Sequence, residues 1–189
     1  TNHYLGSVTS TLDGSTTKTG ATFYEKGLPG TVGGLPAGGA TFVSQDDPNT
    51  TLKLQSATGN NALELNNTNP TGTLTLASPK ALSQLVVLAT TGSGSYASAP
   101  MTLHFSDGHP DLLLAYSAPD WFGRDGAALV GVDRIDAGKG PPDNNTGDPR
   151  LYETSLDLRQ FGVENSPISS ISFEFGGGTT GGGNTEIFA

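Results

Sequence analysis

The stretch DWFGRD contains the one tryptophan of the chain, Trp121, between acidic and basic side chains that can bind a polar ligand. An indole face can stack on the C–H face of a sugar ring, while Asp120 and Arg124 hydrogen-bond the sugar hydroxyls. Alternatively, Trp121 closes the end of a hydrophobic core and its indole N–H bonds a backbone carbonyl. We favour this closing role, because a single tryptophan in a small β-protein is more often buried than exposed.

Three further side chains are candidates for ligand binding if Trp121 is buried. Tyr96 and Tyr116 offer aromatic rings, and Arg150 follows a long loop at the start of a strand. The Arg150 guanidinium could hold a carboxylate or sugar hydroxyls through paired hydrogen bonds. The alternative, which we favour, is a structural ion pair between Arg150 and either Asp120 or Asp136.

Two loops are rich in the oxygen ligands that calcium prefers. The first contains Asp46 and Asp47, and the second contains Asp143 and Asp148. Neither loop follows the EF-hand spacing, and the same residue types form Asx-turns without any metal. We favour the turns, and we keep a structural Ca²⁺ at these four aspartates as the alternative.

The chain has none of the sequence motifs that mark common enzyme classes. It has no cysteine and no G-x-S-x-G, H-E-x-x-H or P-loop pattern. Its three histidines, His3, His104 and His109, do not have metal-site spacing, and we interpret His104 as a surface side chain on the polar face of a strand. We therefore expect a protein without catalytic activity; a glycosidase with an unassigned carboxylate pair is the weakest alternative.

Strands must position these residues, because apolar side chains alternate with polar ones in several segments. GTLTLAS alternates leucine with threonine, and SQLVVLATT is apolar on both faces, as expected of a central strand. In APMTLHFSDGHPDLLLAY, the Asp107–Gly108 pair predicts the turn of a hairpin. A single helical turn is expected only near Pro79–Gln84. The side chains predicted to be buried are Leu85, Val87, Leu103, Phe105, Leu114, Leu156, Ile171 and Phe173.

The composition favours an all-β fold. Hydrophobic residues make up 34% and charged residues 14%, while 27 glycines and many Thr, Ser and Asn suit short strands joined by turns. We predict two antiparallel sheets packed as a β-sandwich of jelly-roll type. Because 189 residues suffice for one sizeable core, we expect a single domain over 1–189, with 1–20 as an extended N-terminal arm.

Charge and hydropathy limit the partners. The net charge of −9 makes a polyanion such as nucleic acid an unfavourable ligand. No segment approaches the roughly 18 apolar residues of a membrane-spanning helix, so we expect no membrane insertion. The chain begins at Thr1 and is rich in Thr, Ser, Asn and Gly. We therefore expect a secreted, extracellular protein that has lost a signal peptide or has been excised from a longer chain.

The order of several short motifs resembles a known class of domain. From about Ala21 onward the chain contains, in this order, TFYEKGLPG, GTLTLASPKALSQLVVLATTGSG, LHFSDG, APDWFG, GDPRLYE and SISFEF. This order is similar to that of the galactose-binding-like carbohydrate-binding modules of secreted bacterial proteins. The resemblance implies a non-catalytic extracellular jelly roll. Sugar-binding jelly rolls often carry one structural calcium, so the resemblance implies a calcium site in this chain as well.

Two functions follow as alternatives. The leading interpretation is a carbohydrate-binding module whose partner is a polysaccharide or a cell-surface glycan. The rival is a self-assembling structural or adhesive protein of a surface, matrix or filament, because low charge density and several edge strands suit repeated contacts between copies. In that rival the arm 1–20 pairs with the sheet of a neighbouring subunit.

Overall fold

The computed structural model describes residues 3–4, 7–8, 21–27, 31, 33–38, 40–55, 60–94, 96–122, 125–136, 149–176 and 183–188. This part of the chain contains fourteen β-strands, one short 3-10 helix and no α-helix. The strands, numbered in chain order, are β1 (His3–Tyr4), β2 (Ser7–Val8), β3 (Ala21–Thr22), β4 (Thr41–Val43), β5 (Thr51–Lys53), β6 (Ala62–Leu65), β7 (Thr71–Lys80), β8 (Gln84–Thr91), β9 (Tyr96–Phe105), β10 (Leu112–Ala118), β11 (Ile135–Asp136), β12 (Tyr152–Asp157), β13 (Ile168–Glu174) and β14 (Thr185–Phe188).

Eight of these strands form two four-stranded antiparallel sheets that pack against each other. Sheet I has the order β10-β9-β13-β7, and sheet II has the order β12-β8-β14-β6. The strands pair in a nested way, because β6 pairs with β14, β7 with β13, β8 with β12 and β9 with β10. First-with-last pairing of this kind wraps a chain into two Greek keys, which is the jelly roll. The predicted fold class is therefore confirmed.

The main core lies between the two sheets and is built by strand alternation. On β7, Leu74 and Leu76 lie inward and are half-buried, while the alternating Thr73 and Thr75 are exposed. Four of the eight side chains predicted to be buried are fully so, namely Val87, Leu103, Ile171 and Phe173. The other four are half-buried and pack against the same core, namely Leu85, Phe105, Leu114 and Leu156.

The predicted hairpin is present between β9 and β10. Leu112 pairs with Leu103 and Leu114 with Met101, so the apolar side chains of both strands share the inward face. In the connection, Gly108 has φ +86°, a left-handed conformation that glycine adopts without strain. The Asp107 carboxylate accepts a hydrogen bond of 3.0 Å from the backbone N–H of His109, which closes the turn.

The prediction of a helical turn near Pro79–Gln84 was wrong. Strand β7 extends to Lys80 and β8 begins at Gln84, so this segment crosses between the sheets without a helix. The 3-10 helix instead spans Leu158–Phe161. Asp157 caps its start by accepting a 3.1 Å hydrogen bond from the N–H of Arg159, and Gly162 ends it with φ 71°.

A second apolar cluster covers the outer face of sheet II. Ala62, Leu88 and Phe188 lie on that face, and the segments 21–55 and 119–136 place apolar side chains over them. We call the described residues of these two segments the covering layer. Its buried members include Phe23, Leu35, Leu54, Trp121, Ala128 and Val132. The layer arises because sheet II carries apolar side chains on its outer face as well as its inner one, and apolar side chains on both faces of a sheet favour burial of both.

Backbone and side-chain contacts over long sequence distances hold the covering layer together. The N–H of Gln45 donates to the carbonyl of Ala128 at 2.9 Å. The hydroxyl of Tyr24, which is fully buried, donates to the Asp133 carboxylate at 3.1 Å. Burial, assisted by the neighbouring Asp133 charge, raises the pKa of Tyr24, so the phenol remains a donor.

The described residues include no helix long and apolar enough to cross a membrane.

Candidate functional site

Trp121 lies in the covering layer and is almost completely buried. Its backbone N–H donates to the carbonyl of Thr91, and its carbonyl accepts from the N–H of Arg150, each at 2.9 Å. Only 2% of the residue is exposed. Its ring meets Phe23 edge to face at a centroid distance of 5.4 Å, and Phe23 meets Phe188 of sheet II in the same manner at 5.9 Å. Trp121 therefore closes the second core.

Arg134 lies over the aromatic pair formed by Trp121 and Phe122. Its guanidinium carbon is 5.4 Å from the centroid of the Trp121 ring and 4.8 Å from that of Phe122. At these distances the cation is attracted by the ring faces, a contact worth ~0.5–1 kcal/mol when partly exposed. The Trp121 face that a sugar would need is thus occupied by protein, and the stacking role considered for this residue does not fit the structure.

Tyr116 is also unsuited to ligand stacking, because it lies fully buried between the two sheets. Its ring meets Phe173 edge to face at 5.4 Å, and its hydroxyl donates to the carbonyl of Glu174 at 2.8 Å. The alternating pattern of β10 already directs Tyr116 inward with Leu112 and Leu114. The hydroxyl is satisfied inside the protein, so the residue has a structural role.

The remaining sugar-binding candidates are dispersed. The Asp120 carboxylate accepts hydrogen bonds from the backbone N–H groups of Gly94 at 3.3 Å and of Phe122 at 3.0 Å. These bonds stabilise the local loop conformation. Arg150 is half-buried beside the Trp121 backbone. Tyr96 begins β9, and its side chain lies outside the described residues, as does all of Arg124.

The two described aspartates of the calcium hypothesis lie in a tight turn. Asp47 accepts hydrogen bonds from the N–H of Asn49 at 3.0 Å and from the hydroxyl of Thr50 at 2.8 Å, which is Asx-turn chemistry. These hydrogen bonds lower the pKa of Asp47. Asp46 is exposed, and its backbone N–H donates to the hydroxyl of Ser44. Asp143 and Asp148 lie outside the described residues.

Within the described part of the chain, no three His, Asp or Glu side chains converge as a metal-binding set. Glu153, which the sequence analysis did not single out, nevertheless lies next to this turn. Burial raises the pKa of Glu153, and the nearby charges of Asp46 and Asp47 raise it further, while a hydrogen bond from Ser44 opposes the shift. The Oε2 atom of Glu153 is buried without a hydrogen-bond partner among the described residues. Calcium binding here stays a prediction.

The outer face of sheet I differs from that of sheet II, because the described residues leave it open and it is rich in hydroxyl groups. Cross-strand register places Thr73, Ser172, Thr102 and Leu113 side by side across all four strands. The adjacent row contains Thr75, Ser170 and His104. We call these two rows, with Asp111 beside His104, the hydroxyl face.

Hydrogen bonds connect side chains within the hydroxyl face. His104 Nδ1 lies 2.8 Å from Asp111 Oδ2, and His104 Nε2 lies 2.8 Å from Ser172 Oγ. Ser172 Oγ also lies 3.0 Å from Thr73 Oγ1. The sequence pattern correctly placed His104 on a polar strand face, but only the register between β9 and β13 brings Ser172 beside it.

Comparison with protein-family models, with curated proteins and with solved structures finds no match for this chain.

Replacing Trp121 by Ala is expected to destabilise the protein by about 3–5 kcal/mol, because the change removes a large buried ring from the second core. Chemical denaturation followed by circular dichroism measures the loss. The conservative Trp121→Phe variant keeps part of the packing and should lose less. In the wild-type protein the single indole should emit blue-shifted fluorescence that iodide does not quench. Red-shifted emission quenched by iodide would contradict the buried placement.

Replacing Glu153 by Gln is expected to raise the melting temperature at pH 7 and to change it little at pH 4. The folded-state pKa of Glu153 is raised, so its contribution to stability is present below the unfolded pKa near 4.5 and is lost as the pH rises. Scanning calorimetry after exhaustive EDTA treatment measures the difference. Glu174→Gln, at an exposed carboxylate of sheet I, is the matched control.

The same two variants test the calcium hypothesis. If Ca²⁺ binds beside Glu153, adding it raises the melting temperature of the wild-type protein by mass action and raises that of Glu153→Gln less. If Ca²⁺ changes neither melting temperature and elemental analysis finds no metal, the calcium hypothesis fails at these aspartates.

Proposed function

We propose that this protein is an extracellular glycan-binding module and that its ligand lies on the hydroxyl face of sheet I. The observation that carries this proposal is the asymmetry of the sandwich. One outer face is covered by an apolar layer, whereas the other is open and lined by side-chain hydroxyls. An open sheet face suits an extended polymer better than a small molecule, which usually needs a concave site.

The chemistry of the hydroxyl face matches that of a neutral sugar. Threonine and serine hydroxyls both donate and accept hydrogen bonds, as sugar hydroxyls do. Leu113 is 68% exposed at one end of a row and offers an apolar contact for sugar C–H groups. The net charge of −9 favours a neutral or cationic polymer over a polyanion.

This proposal differs from the first sequence-based interpretation in the location of the ligand. It retains the secreted location and the resemblance to galactose-binding-like modules, and it moves the binding site away from the Trp121 loop. Trp121, Tyr116 and Asp120 then have structural roles, which their burial and hydrogen bonds support. Arg150 remains the residue that would identify a binding site in the loops.

The Thr75→Val substitution is expected to weaken binding of any polysaccharide that the wild-type protein binds by about 2- to 10-fold, because it removes one hydrogen-bonding hydroxyl at nearly constant volume. Leu113→Ala should weaken it comparably. Affinity electrophoresis against a panel of neutral and charged polysaccharides measures both. Thr51→Val, at an exposed threonine of β5, is the matched control and should bind normally. Loss of binding in Arg150→Gln with normal binding in Thr75→Val would place the ligand in the loops.

We propose self-assembly as the second candidate, and the open edge of β7 favours it. This ten-residue strand ends sheet I and pairs with β13 on one side, and no described strand pairs with its other side. Such an edge accepts a strand from another chain. The arm 1–20 contains β1 and β2, which pair as a short antiparallel hairpin.

Deleting residues 1–20 is expected to abolish any concentration-dependent polymer while leaving the melting temperature unchanged. Light scattering coupled to size-exclusion chromatography measures the mass of both proteins over a range of concentrations. A wild-type chain that stays monomeric at the highest concentration would eliminate this candidate, and it would leave glycan binding untouched.

A further inference from the structure

Asp111, His104 and Ser172 form a continuous chain of two short hydrogen bonds. An ionised carboxylate can only accept, so the 2.8 Å contact between Asp111 Oδ2 and His104 Nδ1 requires the proton to be on Nδ1. In the neutral imidazole, Nε2 is then an acceptor, and the Ser172 hydroxyl donates to it at 2.8 Å. This is the arrangement of a nucleophile, a general base and a group that orients the base.

The fold brings the three residues together from separate strands. His104 lies near the end of β9, Asp111 immediately precedes β10 across the hairpin, and Ser172 lies on β13 beside β9. The His104 side chain is 32% exposed and that of Asp111 is 57% exposed, so solvent and a ligand can reach the base. The paired strands β9 and β13 fix His104 and Ser172, and Asp111 adjoins the first residue of β10, as a preorganised site requires.

We propose that Ser172 is a nucleophile activated by His104 and that this site cleaves carboxylic esters with a small acyl group. The arrangement of Asp111, His104 and Ser172 supports ester hydrolysis as the reaction class. The choice of an O-acetylated glycan as substrate rests on the proposed function. Because the face is open, an acyl group that projects from a polymer bound to it can reach Ser172 without entering a pocket. This activity departs from the expectation of a non-catalytic protein and from the interpretation of His104 as a mere surface side chain.

The reaction balances with water as the only co-reactant. The Ser172 hydroxyl gives its proton to His104 Nε2 as Oγ forms a bond to the acyl carbon. The resulting tetrahedral oxyanion collapses, the bond to the sugar oxygen breaks, and that oxygen takes the proton from His104. Water then attacks the Ser172 ester with His104 again accepting a proton, which returns to Oγ as the carboxylic acid leaves. Asp111 stabilises the transient imidazolium and is a positioning residue.

Two hydroxyls flank the nucleophile and can donate to the oxyanion. Thr73 and Thr102 lie directly opposite Ser172 on the neighbouring strands, and Thr73 Oγ1 is 3.0 Å from Ser172 Oγ. Side-chain hydroxyls can serve as oxyanion donors in place of backbone N–H groups. The backbone N–H groups of a central strand are committed to the sheet, so these threonines are the donors that the face provides.

The first test is covalent labelling of the full chain with a fluorophosphonate, which reacts with activated serines. Peptide mass spectrometry should find the adduct on Ser172 in the wild-type protein and none in Ser172→Ala or His104→Gln. Ser155→Ala, at an exposed serine on β12 of sheet II, is the matched control and should label as the wild type does. Melting curves confirm that each variant is folded. Absence of an adduct on Ser172 in the folded wild-type protein overturns the proposal.

The second test is ester hydrolysis with p-nitrophenyl acetate and with an acetylated polysaccharide. Ser172→Ala and His104→Gln should lower the rate by about 100-fold or more, the range of general-base catalysis. Asp111→Asn should lower kcat with an unchanged KM, because it misorients the base without altering binding. Equal rates in wild type and Ser172→Ala would overturn the proposal.

The two proposals can fail independently. Cleavage of p-nitrophenyl acetate that depends on Ser172, without binding of any polysaccharide, supports the triad and refutes the glycan ligand. Binding that weakens in Thr75→Val without labelling of Ser172 supports the glycan ligand and refutes the nucleophile.

Discussion

The structure depends on one constraint, which is that sheet II carries large apolar side chains on both faces. In β8, Val87 and Ala89 face the core between the sheets, whereas Leu88 faces the opposite side. Burial of a leucine such as Leu88 contributes ~1.5–3 kcal/mol to the free energy of folding, and this contribution would be lost if the outer face were left in contact with water. The covering layer satisfies this requirement with short segments, whose few backbone hydrogen bonds would not hold them without the apolar contacts beneath.

The covering layer also determines which parts of the molecule can meet a ligand. It places the Trp121 ring against Phe23 and beneath Arg134, so the aromatic residue with the most obvious sugar-binding chemistry serves packing. Sheet I has less need of a cover, because its outward positions on β7 and β13 carry mainly threonine and serine, which water solvates well. Its open face is thus the consequence of the same alternation that, where Leu88 and Phe188 point outward, favours a cover on sheet II.

Much of the sandwich could be predicted from the sequence, since alternation within a strand is a local signal. It predicted the β9–β10 hairpin, the central position of β8 and the inward side chains. The covering layer could not be predicted, because its strands are two or three residues long and its contacts are distant, as between Tyr24 and Asp133, 109 positions apart. The neighbourhood of His104 was missed for the same reason, because Ser172 is 68 positions away and only strand register joins them. The single helical turn lies at Leu158–Phe161, because Asp157 and Gly162 supply the caps that begin and end it there.

A nucleophile on an open sheet face obeys different constraints from one in a cleft. Water reaches the half-buried Ser172, so the effective dielectric constant is higher than in a dry pocket and each electrostatic contact to the oxyanion is weaker. Intrinsic reactivity is then modest, and acceleration has to come from holding the ester against Ser172, since positioning alone supplies large effective molarities. On this face the groups available for that positioning are the neighbouring hydroxyls and Leu113, which are the same groups that suit a polysaccharide chain. Binding and reaction are therefore coupled here: a free small ester, which the face cannot hold, should be a poorer substrate than the same ester attached to a polymer that the face binds.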